Sequence, residues 1–150
     1  VALASEYVRK GRRVMGIKHG SHPADVDRPG SDSYRLFHDG KAERVLIAAP
    51  NMRAVFERSP DDTDPVTLAR RYFDGADIVI VEGFKSANIP KIEVYRREVG
   101  ESPRYGIDSS ILAVASDQPR PPDARQELTW LDLNRPEAVL AWLKNFALKA

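Results

Sequence analysis

The chain has 150 residues, 42% hydrophobic and 30% charged, with 23 Lys and Arg against 22 Asp and Glu and a formal net charge of +1. That profile fits one ordinary globular domain and excludes a polybasic nucleic-acid arm or an acidic tail as the main function. Cysteine is absent, which removes disulfides, zinc–thiolate sites, iron–sulfur clusters and cysteine nucleophiles together and makes a cytoplasmic location the default expectation. The longest apolar runs, such as Val45–Ala49 and Ile111–Ala115, fall far short of the roughly 20 residues a membrane span needs, and no secretory leader pattern opens the chain.

The first residues are already in helical rhythm. Ala2, Leu3, Tyr7 and Val8 share a stripe, and Gly11 stops it as a C-terminal cap would. The opening residue is Val1 rather than Met, and the helix starts with no cap, so a preceding segment is expected. The Arg9-Lys10-Gly11-Arg12-Arg13 run reads as the solvated end of that helix, where cations favour the macrodipole, rather than as a phosphate site. Val14–Ile17 is a short buried-type strand. Residues 19–31 form a loop broken by Pro23, Pro29 and Gly30, and Ser31 or Asp32 caps a helix through Tyr34, Leu36 and Phe37 to Gly40. Glu43–Ala49 and Met52–Glu57 are strands around the Pro50-Asn51 turn. Ser59–Pro65 is an acidic loop, and Asp64 caps a helix through Leu68, Ala69 and Tyr72.

Ile78–Val81 is four β-branched residues, the mark of a strand covered on both faces. Lys91–Arg96 alternates as a more exposed strand, and Ile111–Ala115 is fully apolar. Ser116–Ala124, with Pro119, Pro121 and Pro122, is irregular, and Leu128–Leu131 is a short strand. Pro136 opens a final helix on Val139, Leu140, Leu143 and Phe146, running to Ala150. His38 reads as a surface residue, and Trp130 and Trp142 as packing residues. Strands alternating with helices predict an α/β fold of three layers, a mostly parallel sheet with helices on both faces. The Met52 and Lys91 strands are expected to pair antiparallel and make it mixed.

In such sheets ligands gather at the carboxyl ends of strands, so the polar residues after each apolar run carry the candidate chemistry. After Val14–Ile17 stand Lys18-His19-Gly20-Ser21-His22, either an edge facing an anion or a solvated loop. Asp25-Val26-Asp27-Arg28-Pro29-Gly30-Ser31-Asp32-Ser33 places two hard-oxygen carboxylates, suited to Mg²⁺, before a helix start. Ser31 and Asp32 are better read as simple caps. Ile78–Val81 runs into Glu82-Gly83-Phe84-Lys85, the shape of a Walker B element whose acid binds Mg²⁺ or its waters. Gly83 there permits close approach or a positive φ, and Asp77, at the opposite strand end, reads as a solvent-facing charge. Ile111–Ala115 runs into Ser116-Asp117, where a carboxylate could accept two hydrogen bonds from a guanine edge or merely begin a turn before Pro119.

In this order and spacing, Ile17-Lys18-His19 with His22, the segment from Asp25 to Tyr34, Val81-Glu82-Gly83-Phe84-Lys85 and Ala113-Val114-Ala115-Ser116-Asp117 resemble the MobB family of P-loop nucleotide-binding proteins, over essentially the whole chain. The resemblance implies a homodimer that binds GTP with Mg²⁺ and hydrolyses it weakly. It further implies an accessory role for MobA, the guanylyltransferase partner that joins GMP to molybdopterin to make molybdopterin guanine dinucleotide. On the same resemblance Glu82 and Asp27 are the catalytic carboxylates and Glu82, Asp25 and Asp27 the metal ligands. Lys18, His19, Gly83, Lys85 and Asp117 contact nucleotide, with Asp117 reading guanine, and Asp32 and Ser33 complete the rim. A non-catalytic adaptor docking the same partner is the alternative. The family's Gly-x-x-x-x-Gly-Lys-Ser/Thr loop occurs nowhere in these residues. A strand and phosphate loop of about 15–25 residues are therefore expected ahead of the first helix.

Overall fold

The computed structural model describes residues 1–20, 26–59, 64–99 and 102–147. Ser21–Asp25, with His22 and Asp25 among the expected site residues, lie outside the described residues, as do residues 148–150 and the side chain of Phe146. The elements are α1 (Ala2–Arg9), β1 (Val14–Lys18), α2 (Asp32–His38), β2 (Arg44–Ala49), β3 (Met52–Glu57), α3 (Pro65–Tyr72), β4 (Ile78–Glu82), β5 (Lys91–Tyr95), β6 (Ile111–Ser116), β7 (Thr129–Asp132) and α4 (Pro136–Ala147).

Local chemistry sets the helix ends. The Arg12 N–H donates to the Tyr7 carbonyl at 3.0 Å and the Gly11 N–H to that of Val8 at 2.9 Å. With Gly11 at φ +72°, this is a Schellman cap, which uses a left-handed residue to satisfy carbonyls the helix leaves over. Arg9 and Lys10 both pair with Glu6, so the basic run is the helix end that the charge pattern predicted. The Ser31 hydroxyl accepts from the Tyr34 N–H and caps α2, while the Asp64 carboxylate accepts from the Val66 and Thr67 N–H groups and caps α3.

The fold is α/β, with parallel sheets and four α-helices among the described residues. It divides into two compact units, one of Val1–Met15, Gly75–Ile80 and Lys85–Ala150, the other of Gly16–Asp74 and Val81–Phe84. Strands β1 and β4 pair with each other. The Asp77 N–H reaches the Arg13 carbonyl at 2.9 Å at their starts and the His19 N–H the Glu82 carbonyl at 2.8 Å at their ends, so the two run parallel. Asp77 also accepts from the Arg13 N–H at 2.7 Å and lies 3.7 Å from Arg12.

In the first unit, β6 lies between β5 and β7, parallel to both. One face of β6 buries Ala113 and Ala115 with Leu131 and Val139, packed by Leu3, Trp142 and Leu143 from α1 and α4. The other buries Val114 with Ile111 and Leu128 under Tyr95, Tyr105 and Trp130. Burying one such aliphatic side chain stabilises by about 1.5–3 kcal/mol. Strand β6 is therefore the centre of this unit's core, the covered-on-both-faces pattern its sequence predicted. Trp130 also donates to the Gln118 carbonyl at 2.8 Å and Trp142 to the Thr129 hydroxyl at 3.0 Å.

One pairing is corrected. The Met52 strand does pair antiparallel, with β2, but the Lys91 strand runs parallel to β6, with a register shift between Lys91 and Ile92. The intervening residues, 96–110, are long enough for the crossover of about a dozen residues that parallel neighbours need. In the second unit β2 and β3 form a hairpin with Val45 opposite Phe56 and Leu46 opposite Val55. Val45 is buried, whereas Leu46 and Val55 are 58% and 52% exposed.

Candidate functional site

The ends of β1 and β4 present a basic and an acidic side chain side by side. Lys18 Nζ donates to Glu82 Oε1 at 2.6 Å, with the two side chains 71% and 72% exposed. An ion pair in that degree of solvent contributes only about 0–1 kcal/mol, so stability gives little reason to place these charges together. Parallel register explains the meeting: two strands starting in step, at Arg13 and Asp77, deliver Lys18 and Glu82 to the same end.

The turn after Glu82 is unusual in its backbone. Gly83 has φ +86°, and a Cβ there would lie 2.7 Å from the His19 carbonyl oxygen and 2.9 Å from its Cβ. Glycine is thus required both for conformation and for clearance. Phe84 follows with φ +48°, a left-handed conformation that costs a non-glycine residue on the order of 1–3 kcal/mol. Its ring packs on the His19 imidazole, centroids 4.3 Å apart and planes at 34°. Strained backbone held by packing is a feature of ligand clamps and active sites. The sequence pointed to Gly83, whereas Phe84 escaped it, because an aromatic residue carries no propensity signal for that conformation.

Asp27 forms a second polar centre in the same unit. Its Oδ1 accepts from the Arg28 N–H at 2.8 Å and the Ser31 hydroxyl at 3.3 Å. Ser31 Oγ in turn lies 3.1 Å from Ser33 Oγ. Among the described residues Asp27 Oδ2 is buried with no hydrogen-bond partner. A buried carboxylate oxygen left without a donor costs about 1–3 kcal/mol or more, and it is chemically a hard-oxygen ligand. Asp32 is exposed in the first turn of α2, and the cap is Ser31 alone.

Two expected site residues belong to the first unit. Asp117 is exposed just beyond β6, where Gln118 Nε2 donates to its Oδ1 at 3.3 Å and the Gln118 N–H to Ser116 Oγ at 3.0 Å. Lys85 is exposed and lines a cavity of about 360 Å³. The structure thus brings Lys18, His19, Glu82 and Gly83 together, and links Asp27 to Ser33 through Ser31, within one unit. Among the described residues no three His, Asp or Glu side chains gather to enclose a metal ion. Among the described residues no helix is long and apolar enough to cross a membrane.

Residues 1–117 match the family model described as molybdopterin guanine dinucleotide synthesis protein B, MobB. The chain is 35% identical over 146 residues to the molybdopterin-guanine dinucleotide biosynthesis adapter protein of Haemophilus influenzae, covering 96% of this chain and 78% of that protein. It is 34% identical over 151 residues to the adapter protein of Escherichia coli, covering 95% and 81%. The crystal structure of a molybdopterin-guanine biosynthesis protein B shares the fold with a TM-score of 0.71 at 22% identity, over 96% of this chain and 87% of that one. A MobB homologue from Bacillus stearothermophilus does so with a TM-score of 0.68 at 20% identity, over 99% and 86%. More than half of the chain matches the family model and curated relatives exceed 30% identity over most of their length; the chain belongs to the MobB family.

Proposed function

We propose that this chain is a GTP-binding accessory protein of molybdenum cofactor biosynthesis that assists attachment of GMP to molybdopterin, forming molybdopterin guanine dinucleotide. The names of the Haemophilus and Escherichia relatives support the pathway. The observation that carries the nucleotide part is the exposed Lys18–Glu82 pair at the ends of two parallel strands, over a glycine with no room for a side chain. Such strand ends are where open α/β sheets bind ligands.

In this reading Lys18 and His19 face the phosphates, Gly83 lets the backbone approach them, and Lys85 adds positive charge. Glu82 and Asp27, with Asp25, would hold Mg²⁺; Asp27 fits because its Oδ2 is a buried oxygen in need of a partner. Bound Mg²⁺ would neutralise phosphate charge. Glu82 and Asp27 are also the carboxylates for weak GTP hydrolysis, Asp32 and Ser33 lie on the rim, and Asp117 accepts from the guanine edge. The active species is a cytoplasmic homodimer that meets the guanylyltransferase MobA.

The test is titration of Mg·GTP and Mg·ATP into this chain and into the chain joined to whatever coding sequence precedes Val1. GTP is expected to bind more tightly than ATP. Asp117→Ala is expected to reduce that preference about tenfold or more, the value of hydrogen bonds to a charged group. Equal binding of the two nucleotides would reject the guanine claim, and absent binding in both forms would reject the nucleotide reading. The word adapter in the relatives' names favours a second reading, a docking platform whose nucleotide site is vestigial. Capture of MobA by a chain that binds no GTP would select it.

A further inference from the structure

The cavity of about 360 Å³ in the first unit is walled by two loops, residues 85–90 and 104–110, with Lys91 at the start of β5 between them. Neither loop has a regular ladder of its own, yet both are pinned. Lys91 Nζ donates to the Ala87 carbonyl at 2.5 Å, Ser110 Oγ at 2.5 Å and Asp108 Oδ2 at 3.2 Å. An ammonium has three protons, and three acceptors take them, so Lys91 ties one wall to the other. Lys91 and Asp108 are only 16% and 19% exposed. Asp108 Oδ1 receives the Ser110 N–H at 2.9 Å and the Ser110 hydroxyl at 2.5 Å.

Two more charged side chains hold the second loop by its backbone. Glu93 accepts the Arg104 N–H at 2.7 Å and the Tyr105 N–H at 2.9 Å. Arg125 donates to the carbonyls of Tyr105 at 3.2 Å, Asp108 at 3.3 Å and Ile111 at 2.8 Å. Donors and acceptors of an otherwise irregular loop are thus fixed by three side chains from strands and a neighbouring turn. Rigid support of this kind lowers the ordering cost of binding and is what a preorganised site requires.

The charge on the walls is uneven. Lys85, Lys91 and Arg104 line the cavity against Asp108 alone. Lys91 and Asp108 neutralise each other, and Arg104 adds a further positive charge to the wall. The Arg104 backbone is anchored by Glu93, while its guanidinium makes no hydrogen bond or ion pair among the described residues. Ser86, Asn88 and Ser109 add neutral donors.

We propose that this cavity is a binding site for the phosphate group of a small ligand, with the Arg104 guanidinium as its bidentate fork and Ser109 and Ser86 as flanking donors. A guanidinium fork matches two phosphate oxygens at once. Donors arriving from two separate loops serve a tetrahedral group better than a planar carboxylate. The proposal does not rest on GTP binding, in which Arg104 and Ser109 take no part.

The experiment is a titration of inorganic phosphate, mainly dianionic at pH 8, into the whole chain at constant ionic strength, followed by ¹H–¹⁵N spectra. Amide signals of residues 86–88 and 107–110 are expected to shift and saturate, with sulfate behaving similarly and acetate not saturating. Arg104→Gln is expected to weaken phosphate about tenfold, and Arg104→Lys, which keeps charge and loses the fork, by about threefold. The Arg104 side chain is exposed and has no partner among the described residues, so both variants should fold with unchanged spectra elsewhere. Shifts that never saturate, saturation confined to the Lys18–His19 signals, or undiminished binding by Arg104→Gln would each overturn the proposal. Failure of GTP to bind the native chain leaves these readouts standing, so the two readings fail separately.

Discussion

Strands β4 and β6 have one signature, an apolar run ending at an acid, and they meet opposite physical demands. Strand β6 buries Ala113, Val114, Ala115 and Ser116, and its acid, Asp117, follows in a turn of ordinary backbone stitched by Gln118. Strand β4 is only half-buried, and its acid leads into a glycine without clearance and a left-handed phenylalanine. Burial of β6 makes that strand a scaffold that tolerates little change. At the tip of β4, by contrast, stability is spent on holding an unfavourable turn under an exposed ion pair. Where conformation is unfavourable and solvent access is high, ligand contact is the economical explanation.

Breaking the scaffold side should have the largest effect. Val114→Asp places an unpaired charge at a fully buried position and is expected to cost more than about 4 kcal/mol, enough to abolish the cooperative denaturant transition. At the β4 tip, Gly83→Ala forces both the positive φ and the contact with His19. The expected cost is about 1–3 kcal/mol, with amide exchange accelerated first at His19 and Phe84. Neutralising the charged pair sharpens the contrast. Glu82→Gln or Lys18→Ala should change stability by less than about 1 kcal/mol while abolishing Mg·GTP binding in calorimetry. A change in stability without a change in binding would make the pair structural.

The smallest effect concerns a carboxylate with a purely local role, Asp64. Hydrogen bonds from the Thr67 hydroxyl first, then from the Thr67 and Val66 N–H groups, hold its carboxyl below the ordinary range. A depressed folded-state value means the cap's contribution is complete above the unfolded value of about 3.9 and is lost as pH falls through the folded value. The stability difference between the native chain and Asp64→Ala should therefore be constant near neutrality and narrow below about pH 4. A difference that widened on acidification would show that Asp64 acts through some other contact.

Much of the architecture was legible because it is local. The caps at Ser31 and Asp64 and the Schellman glycine at Gly11 depend on neighbours within a few residues, and β3 spans the Met52–Glu57 range its pattern predicted. The partner of β5 was not, since pairing across a long connection leaves no periodic trace. The length of residues 96–110 was the available hint that the connection is a crossover. At the candidate site, an acid after an apolar strand was readable, as was Gly83. Phe84 stacking on His19 was not, nor was the clamp that joins Lys91 to Asp108 and Ser110, because each joins residues distant in sequence or defies local preference.

The outward face of the β2–β3 hairpin has a consequence for behaviour in concentrated solution. Its apolar cross-strand pair, Leu46 and Val55, is bracketed along the strands by Arg44 opposite Glu57 on one side and by Arg53 opposite Ala48 on the other. Among the described residues neither outer edge of this hairpin is paired, so each is a template on which another chain could grow fibril-like order. The bracketing charges act as gatekeepers against that growth. Arg44 and Arg53 would thereby oppose self-association through a charge effect that needs no contact with a ligand.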